Sequence, residues 1–222
     1  MFCAVIYDWD GTLADTKAAV VASFQKVFRQ NHITVSRQFI EKRIGIGSRN
    51  LLIDALKASG RAFDENLIDT LNREKINAEV ELTSTVKLFD GASEILDSFC
   101  QKAKTALATM NNKAVVCKLL DEMRIKQYFD IVLTAEDVAH AKPDPEIFLK
   151  AAYALKCSPN ECVVLEDSVF GVKAAKTAGM SCIAIASGAY SAQELRNEGA
   201  DLVAESLREK DKILAFVLNR HP

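Results

Sequence analysis

The chain has 222 residues, and its 28 Lys+Arg against 30 Asp+Glu leave a formal net charge of −2. With 49% hydrophobic and 26% charged residues it is composed like a globular protein; a disordered chain would combine fewer apolar residues with a larger net charge. The slightly acidic balance lacks the basic excess of a dedicated nucleic-acid binder, and no apolar run approaches the roughly 20 residues needed to cross a bilayer, so neither nucleic acid nor membrane is an expected partner.

Phe2-Cys3-Ala4-Val5-Ile6-Tyr7 predicts a buried strand closed by an acidic turn. No basic residues precede it and Asp8 and Asp10 follow, which argues against a secretory leader and for a cytoplasmic location. The next segment is helical in pattern. Val20, Phe24, Val27 and Phe28 share one helix face, and Leu52, Ala55, Leu56 and then Leu67, Ile68, Leu71 suggest two more helices. Further strands are predicted at 104–109, 130–134, 161–165 and 181–185, with a short edge strand at 201–203. Helical patterns at 112–123, 144–156, 168–179, 191–198 and 207–219 separate them. Ser191…Glu194 and Ser206…Glu209 have capping-box spacing, in which hydroxyl and carboxylate satisfy free N–H groups of a first helical turn. Strands alternating with helices argue for an α/β protein: a Rossmann-like parallel sheet with helices on both faces. The interval between the first two strands far exceeds a crossover unit of about 30 residues, so residues 15–87 are read as an inserted all-helical cap. Residues 1–14 and 88–222 then form the core.

The six cysteines contain no C-x-x-C, and most lie in apolar stretches, which predicts buried, reduced thiols. His32, His140 and His221 are scattered without a ligand-spaced partner, so zinc is not expected.

Chemistry concentrates at the predicted strand ends. Asp8-Trp9-Asp10-Gly11-Thr12 follows the first strand, and two carboxylates two positions apart there suit a nucleophile or hard-metal ligand beside a proton-transfer group. A solvated acidic turn is the alternative, but the carboxyl edge of an open α/β sheet is where ligands bind. Thr109-Met110-Asn111-Asn112 follows the second strand and offers either an anion site at a helix start or an ordinary N-cap. Lys142 in Lys142-Pro143-Asp144-Pro145 is either a phosphate-neutralising cation or a surface lysine. Glu166-Asp167-Ser168 can cap the helix it precedes or complete a magnesium site. Each of the last three is weak singly; the four in order on one sheet edge are strong.

Through D-W-D-G-T-L-A-D-T, A-L-A-T-M-N-N, A-K-P-D-P-E-I-F and V-V-L-E-D-S-V-F-G-V-K-A-A-K-T-A-G, the sequence resembles the haloacid dehalogenase superfamily of phosphotransferases. The resemblance is to the branch with a helical cap after the first motif, which includes phosphoglycolate phosphatases, sugar-phosphate phosphatases and β-phosphoglucomutases. It implies that Asp8 attacks phosphorus to form an aspartyl-phosphate and that Asp10 is the general acid and base. Thr109, the neighbouring Asn111 and Lys142 would hold the phosphoryl group. Mg²⁺ would sit on Asp8, the Asp10 carbonyl and Asp167, with Glu166 nearby. The implied activity is hydrolysis of a small soluble phosphomonoester.

A dehalogenase needs neither the second carboxylate nor the metal site. A signalling receiver domain is about half this length and lacks the cap, and a dead binding module would be expected to have lost one of the anchors. A mutase is the nearer alternative. In β-phosphoglucomutases a His on the first cap helix helps control proton transfer, and Thr16-Lys17-Ala18-Ala19-Val20 has none. In Gly45-Ile46-Gly47-Ser48-Arg49, which is similar to the cap loop of that family, Arg49 is either a grip for a distal phosphate or a solvated helix-start residue. Whether the chain is a monomer or a dimer is not legible from these patterns.

Overall fold

The computed structural model of the chain describes residues 1–219. Its strands are β1 (Ala4–Tyr7), β2 (Ala14–Asp15), β3 (Lys87–Leu88), β4 (Lys104–Ala108), β5 (Ile131–Leu133), β6 (Cys162–Glu166), β7 (Ser181–Ile185) and β8 (Leu202–Ala204). Six of them form one parallel sheet in the order β5-β4-β1-β6-β7-β8. The chain runs outward from β1 through β4 to β5, then returns to β6 on the other side of β1. The order therefore reverses at β1, and the crevice at such a reversal, beyond the carboxyl ends of the strands, is where open α/β sheets bind ligands.

Strand side chains alternate between two cores, as the pleat requires. Val5, Tyr7, Leu107, Val163, Leu165, Ile183 and Ile185 face the side covered by α5 (Ala92–Phe99), α6 (Lys113–Met123) and α10 (Lys210–Leu218). Ala4, Ile6, Ala106, Ala108, Cys162, Val164, Cys182 and Ala184 face α7 (Glu146–Leu155), α8 (Val169–Thr177) and α9 (Ala192–Asn197). The smaller residues on the second face meet alanine-rich helices, with Ala151 and Ala152 on α7 and Ala174 and Ala175 on α8 fully or almost fully buried.

After β1 the chain passes through β2, makes α1 (Lys17–Gln30), α2 (Arg37–Glu41), α3 (Ser48–Ala58) and α4 (Glu65–Val80), and returns through β3. Strands β2 and β3 pair antiparallel, Ala14 with Leu88 and Asp15 with Lys87, so the segment leaves and re-enters at one point. These helices have their own core: Val20, Phe24, Val27 and Phe28 of α1 pack with Leu52, Ala55 and Leu56 of α3 and with Ile68 and Leu71 of α4. Among the described residues no helix is long and apolar enough to cross a membrane.

Two expectations are corrected. Cys3 and Cys157 are joined in a disulfide, not reduced; β1 and the end of α7 bring their Cα atoms to 6.2 Å, within the range such a bond spans. Cys100, Cys117, Cys162 and Cys182 are free. Ser191…Glu194 does form a reciprocal capping box, but Ser206…Glu209 does not. The Glu209 carboxylate instead accepts from the Glu205 N–H at 2.7 Å, the Ser206 hydroxyl accepts from the Arg208 N–H at 3.3 Å, and the helix begins only at Lys210. His221 lies outside the described residues.

Candidate active site

The strand order places the ends of β4, β1 and β6 side by side, so Thr109, Asp8 and Glu166-Asp167 meet although they are far apart in sequence. Asp8, Asp10, Thr109, Asn111, Lys142, Glu166 and Asp167 are all buried. Lys142 enters from the loop between β5 and α7. Its Nζ lies 2.7 Å from Asp8 Oδ1, 2.6 Å from Glu166 Oε1 and 3.2 Å from the Ala108 carbonyl, so all three of its donors are used. The surface-lysine alternative is excluded: its side chain has no exposed area.

The two aspartates of the first motif point to different partners. Asp8 faces Lys142, and its Oδ2 accepts from the Thr12 hydroxyl at 3.3 Å. Asp10 turns toward the β4 end: Asn111 Nδ2 donates to its Oδ1 at 3.0 Å and the Thr109 hydroxyl to its Oδ2 at 3.2 Å. Thr109 and Asn111 thus bind Asp10 in this arrangement. The start of α6 is also partly taken, because the Lys113 N–H donates to the Glu136 carboxylate at 3.0 Å.

The electrostatics are unbalanced. Asp8 is pushed up to about 8 by burial and then by the charge of Glu166, against the pull of Lys142. Burial and Glu166 raise Asp167 well above the carboxylate range, and burial and Glu79 raise Asp10. Lys142 is raised: burial opposes its charge, but Asp8 and Glu166 outweigh that. One ammonium therefore faces several carboxylates. Ligand oxygens of Asp8, Glu166 and Asp167 lie within 4.8 Å of one another, an all-oxygen set of the kind a hard divalent cation takes. A cation there would remove the imbalance, so these residues fit one. Glu166 is the most committed of the three. Its Oε2 accepts from the Asp167 N–H, the Ser168 N–H and the Ser168 hydroxyl, each at 3.0 Å. Asp167 is left the more available ligand. Gly11 and Gly188 make room for it: a Cβ on either would come 2.2 or 1.8 Å from Asp167 Oδ2.

A narrow cavity opens above Asp8 and Asp10, walled by Val20, Phe24 and Leu51, with Arg43, Lys75 and Ser48 among its polar groups. Arg49 is not brought into it. Arg49 is half-exposed, bonded to Glu65 and Asp69, and lines a separate outer cleft with Asn72, Asn112 and Glu136. The two spaces share Gly47, Ser48 and Met110. Lys75 and Glu79 of α4 were not legible as site residues. Their signal was present: both are charged residues at the helical phase of Ile68 and Leu71, positions that otherwise bury apolar side chains.

A crevice of buried acids around one lysine, set at the reversal point of a parallel sheet, defines an α/β enzyme. A profile described as haloacid dehalogenase-like hydrolase matches residues 5–185, and the chain belongs to that family. The chain is 32% identical to a protein of Thermotoga maritima named phosphorylated carbohydrates phosphatase, over 81% of this chain and 83% of that one. It is 30% identical to the β-phosphoglucomutase of Bacillus subtilis, over 93% and 94% of the two chains. The crystal structure of a β-phosphoglucomutase from Clostridium difficile superposes with a TM-score of 0.87 at 26% identity, covering 99% of this chain and 98% of that one.

Proposed function

We propose that the protein is a magnesium-dependent phosphatase that hydrolyses a small phosphomonoester through an aspartyl-phosphate. Residues 1–14 and 88–222 form the catalytic core in this reading and 15–87 the cap. The observation that carries it is the division of labour in the first motif. Asp8 is paired with a cation and sits in the metal-capable acid cluster, whereas Asp10 is turned away from that cluster and held by hydrogen-bond donors.

An Asp8 oxygen forms a bond to phosphorus as the bond to the ester oxygen breaks. Asp10, protonated, donates to the departing alcohol. It then takes the proton of the water that attacks the aspartyl-phosphate, releasing phosphate and restoring both carboxyl groups. Lys142 pulls Asp8 toward its ionised form, a pull the metal would complete, and offers positive charge to the transferring oxygens; Thr109 and Asn111 are the residues proposed to hold the same group. Asp8, the Asp10 carbonyl and Asp167 are the residues proposed to hold Mg²⁺, with Glu166 beside them; the ion would supply charge to offset the phosphoryl oxygens. Arg49, at the outer cleft, is the residue proposed to meet the distal part of a substrate, exchanging Glu65 and Asp69 for it.

A phosphorylated sugar is the substrate class that the Thermotoga relative's name supports. The test is a phosphate-release screen over hexose and pentose phosphates, phosphoglycolate, nucleotides and pyrophosphate, with Asp8→Asn as control. Turnover that survives Asp8→Asn overturns the nucleophile, and a rate unaffected by chelation overturns the metal. The mutase relatives favour a second reading, decided by following β-glucose 1-phosphate to glucose 6-phosphate. Against it, the segment Lys17-Ala18-Ala19-Val20 has no His: it brings Val20 to the cavity over Asp8 and Lys17 to an adjoining space beside Asp10 and Asp167.

A further inference from the structure

Helix α4 carries an ion pair where its periodicity calls for apolar residues. Lys75 and Glu79, one turn apart, are 3% and 2% exposed and bond to each other, and Lys75 Nζ lies 5.1 Å from the centre of the Phe24 ring. Taking two charges out of water costs several kcal/mol per ion, and apolar residues of similar size would often serve a core as well or better. Stability of the helical segment alone is therefore a poor reason for the pair.

The free end of the pair leads into the site. Glu79 Oε2 takes Lys75, and Glu79 Oε1 accepts from Asn111 Nδ2 at 3.0 Å. The same Nδ2 donates to Asp10 Oδ1 at 3.0 Å. Asn111 Oδ1 accepts from the Asn112 N–H at 2.7 Å, which fixes the amide's orientation. The two protons of this buried amide are thus divided between one carboxylate of the core and one of α4. Take Glu79 away and one N–H of the buried amide loses its acceptor, so the amide is held only by Asp10 and the Asn112 N–H and its hold on Asp10 Oδ1 loosens.

We propose that Glu79 is a positioning residue for Asp10, acting through Asn111, so that the proton-transferring carboxyl is fully aligned only while α4 is seated against the core. This rests on the reading of Asp10 as general acid and base. Lys75 holds Glu79 in the matching rotamer and offsets its charge.

The test compares Lys75→Met/Glu79→Gln with Lys75→Met/Glu79→Met. Neither leaves an unpaired charge; only the first keeps an acceptor for Asn111. Each is assayed on an alkyl phosphate, whose leaving group needs a proton, and on p-nitrophenyl phosphate, whose leaving group does not, with Asp10→Ala alongside. The expected result is a kcat/KM, which reports the step in which the leaving group departs, about tenfold lower on the alkyl phosphate for Glu79→Met than for Glu79→Gln, a fraction of the ~10²–10⁴ that a positioned acid contributes, and equal kcat/KM on p-nitrophenyl phosphate. Equal kcat/KM of the two variants on both substrates, or an equal loss of kcat/KM on both, overturns the proposal while Asp10→Ala still discriminates between leaving groups. If Asp10→Ala itself fails to discriminate, the reading of Asp10 has failed and the proposal falls with it. Should Lys75→Met/Glu79→Met not fold, Lys75→Met/Glu79→Leu removes the same acceptor with Asn111 intact and is read by the same two substrates.

Discussion

Lys142 Nζ stands 2.7 Å from Asp8 Oδ1, and the two residues are 134 positions apart in sequence. Glu166, 2.6 Å away on its other side, completes a buried triad in which one ammonium serves two carboxylates. Removing one partner of a buried pair costs roughly 3–5 kcal/mol, because the remaining charge keeps its desolvation penalty without its attraction. Lys142→Met should therefore lower stability by an amount of that order in urea unfolding. It should also reduce kcat by about 10²–10³, the usual loss when a charge-stabilising group is deleted. A variant of unchanged stability would mean that Asp8 and Glu166 do not depend on Lys142.

Acidity gives a second check. Asp8 has a folded-state value pushed up to about 8 from 3.8, and Asp10 and Asp167 are raised in the same direction. Between these limits the folded state binds more protons than the unfolded one, so stability is full below about pH 4 as far as these groups are concerned and falls as pH rises toward 8. A divalent cation neutralises the same carboxylates and should reverse the loss. Thermal unfolding with and without Mg²⁺ is expected to show a larger stabilisation at pH 8 than at pH 5. An equal shift at both pH values would show that the ion binds elsewhere.

The sites that reasoning from sequence reached are those written in short stretches of chain at strand ends. Asp8 and Asp10 share one turn, and Glu166-Asp167 another, so local patterning and strand order were enough to bring them together. What it missed depends on contacts between distant elements. Glu79 meets Asn111 only because α4 packs over the β4 end, and Cys3 meets Cys157 across 154 residues of chain. Ser206 and Glu209 show the opposite error: capping-box spacing was present, but both side chains serve the turn before α10. Sequence reasoning also passed over Arg43, two residues before the cap loop, which lines the cavity with Asp8, while Arg49 lines the outer cleft.

Gly188 tests the metal site without touching a charged group. Its φ lies outside the positive region that strains other residues, and the three atoms nearest an added methyl all belong to the Asp167 side chain, Oδ2 at 1.8 Å, Cγ at 2.8 Å and Cβ at 3.2 Å. Gly188→Ala should displace that carboxylate and leave the backbone in place. Loss of a supporting contact typically lowers metal affinity by about 10–100-fold, and a decrease of that size is expected for Mn²⁺ followed by electron paramagnetic resonance. Unchanged Mn²⁺ affinity would remove Asp167 from the proposed ligand set.

Arg49 separates the two parts of the cleft. Its guanidinium is bonded to Glu65 and Asp69, and it is 42% exposed, a setting in which ion pairs contribute about 1 kcal/mol or less. Arg49→Ala should leave thermal stability almost unaltered. Because Arg49 lines the outer cleft and not the cavity over Asp8, it is placed for a substrate's distal end rather than the transferring group. Its loss should raise KM at constant kcat, by no more than about tenfold because binding must first displace two carboxylates at a similar cost. The increase should be confined to substrates that carry a second anionic or hydroxylated group, and p-nitrophenyl phosphate should show none. A fall in kcat with unchanged KM would place Arg49 at the reacting phosphate, which the separation of the two spaces by Gly47, Ser48 and Met110 argues against.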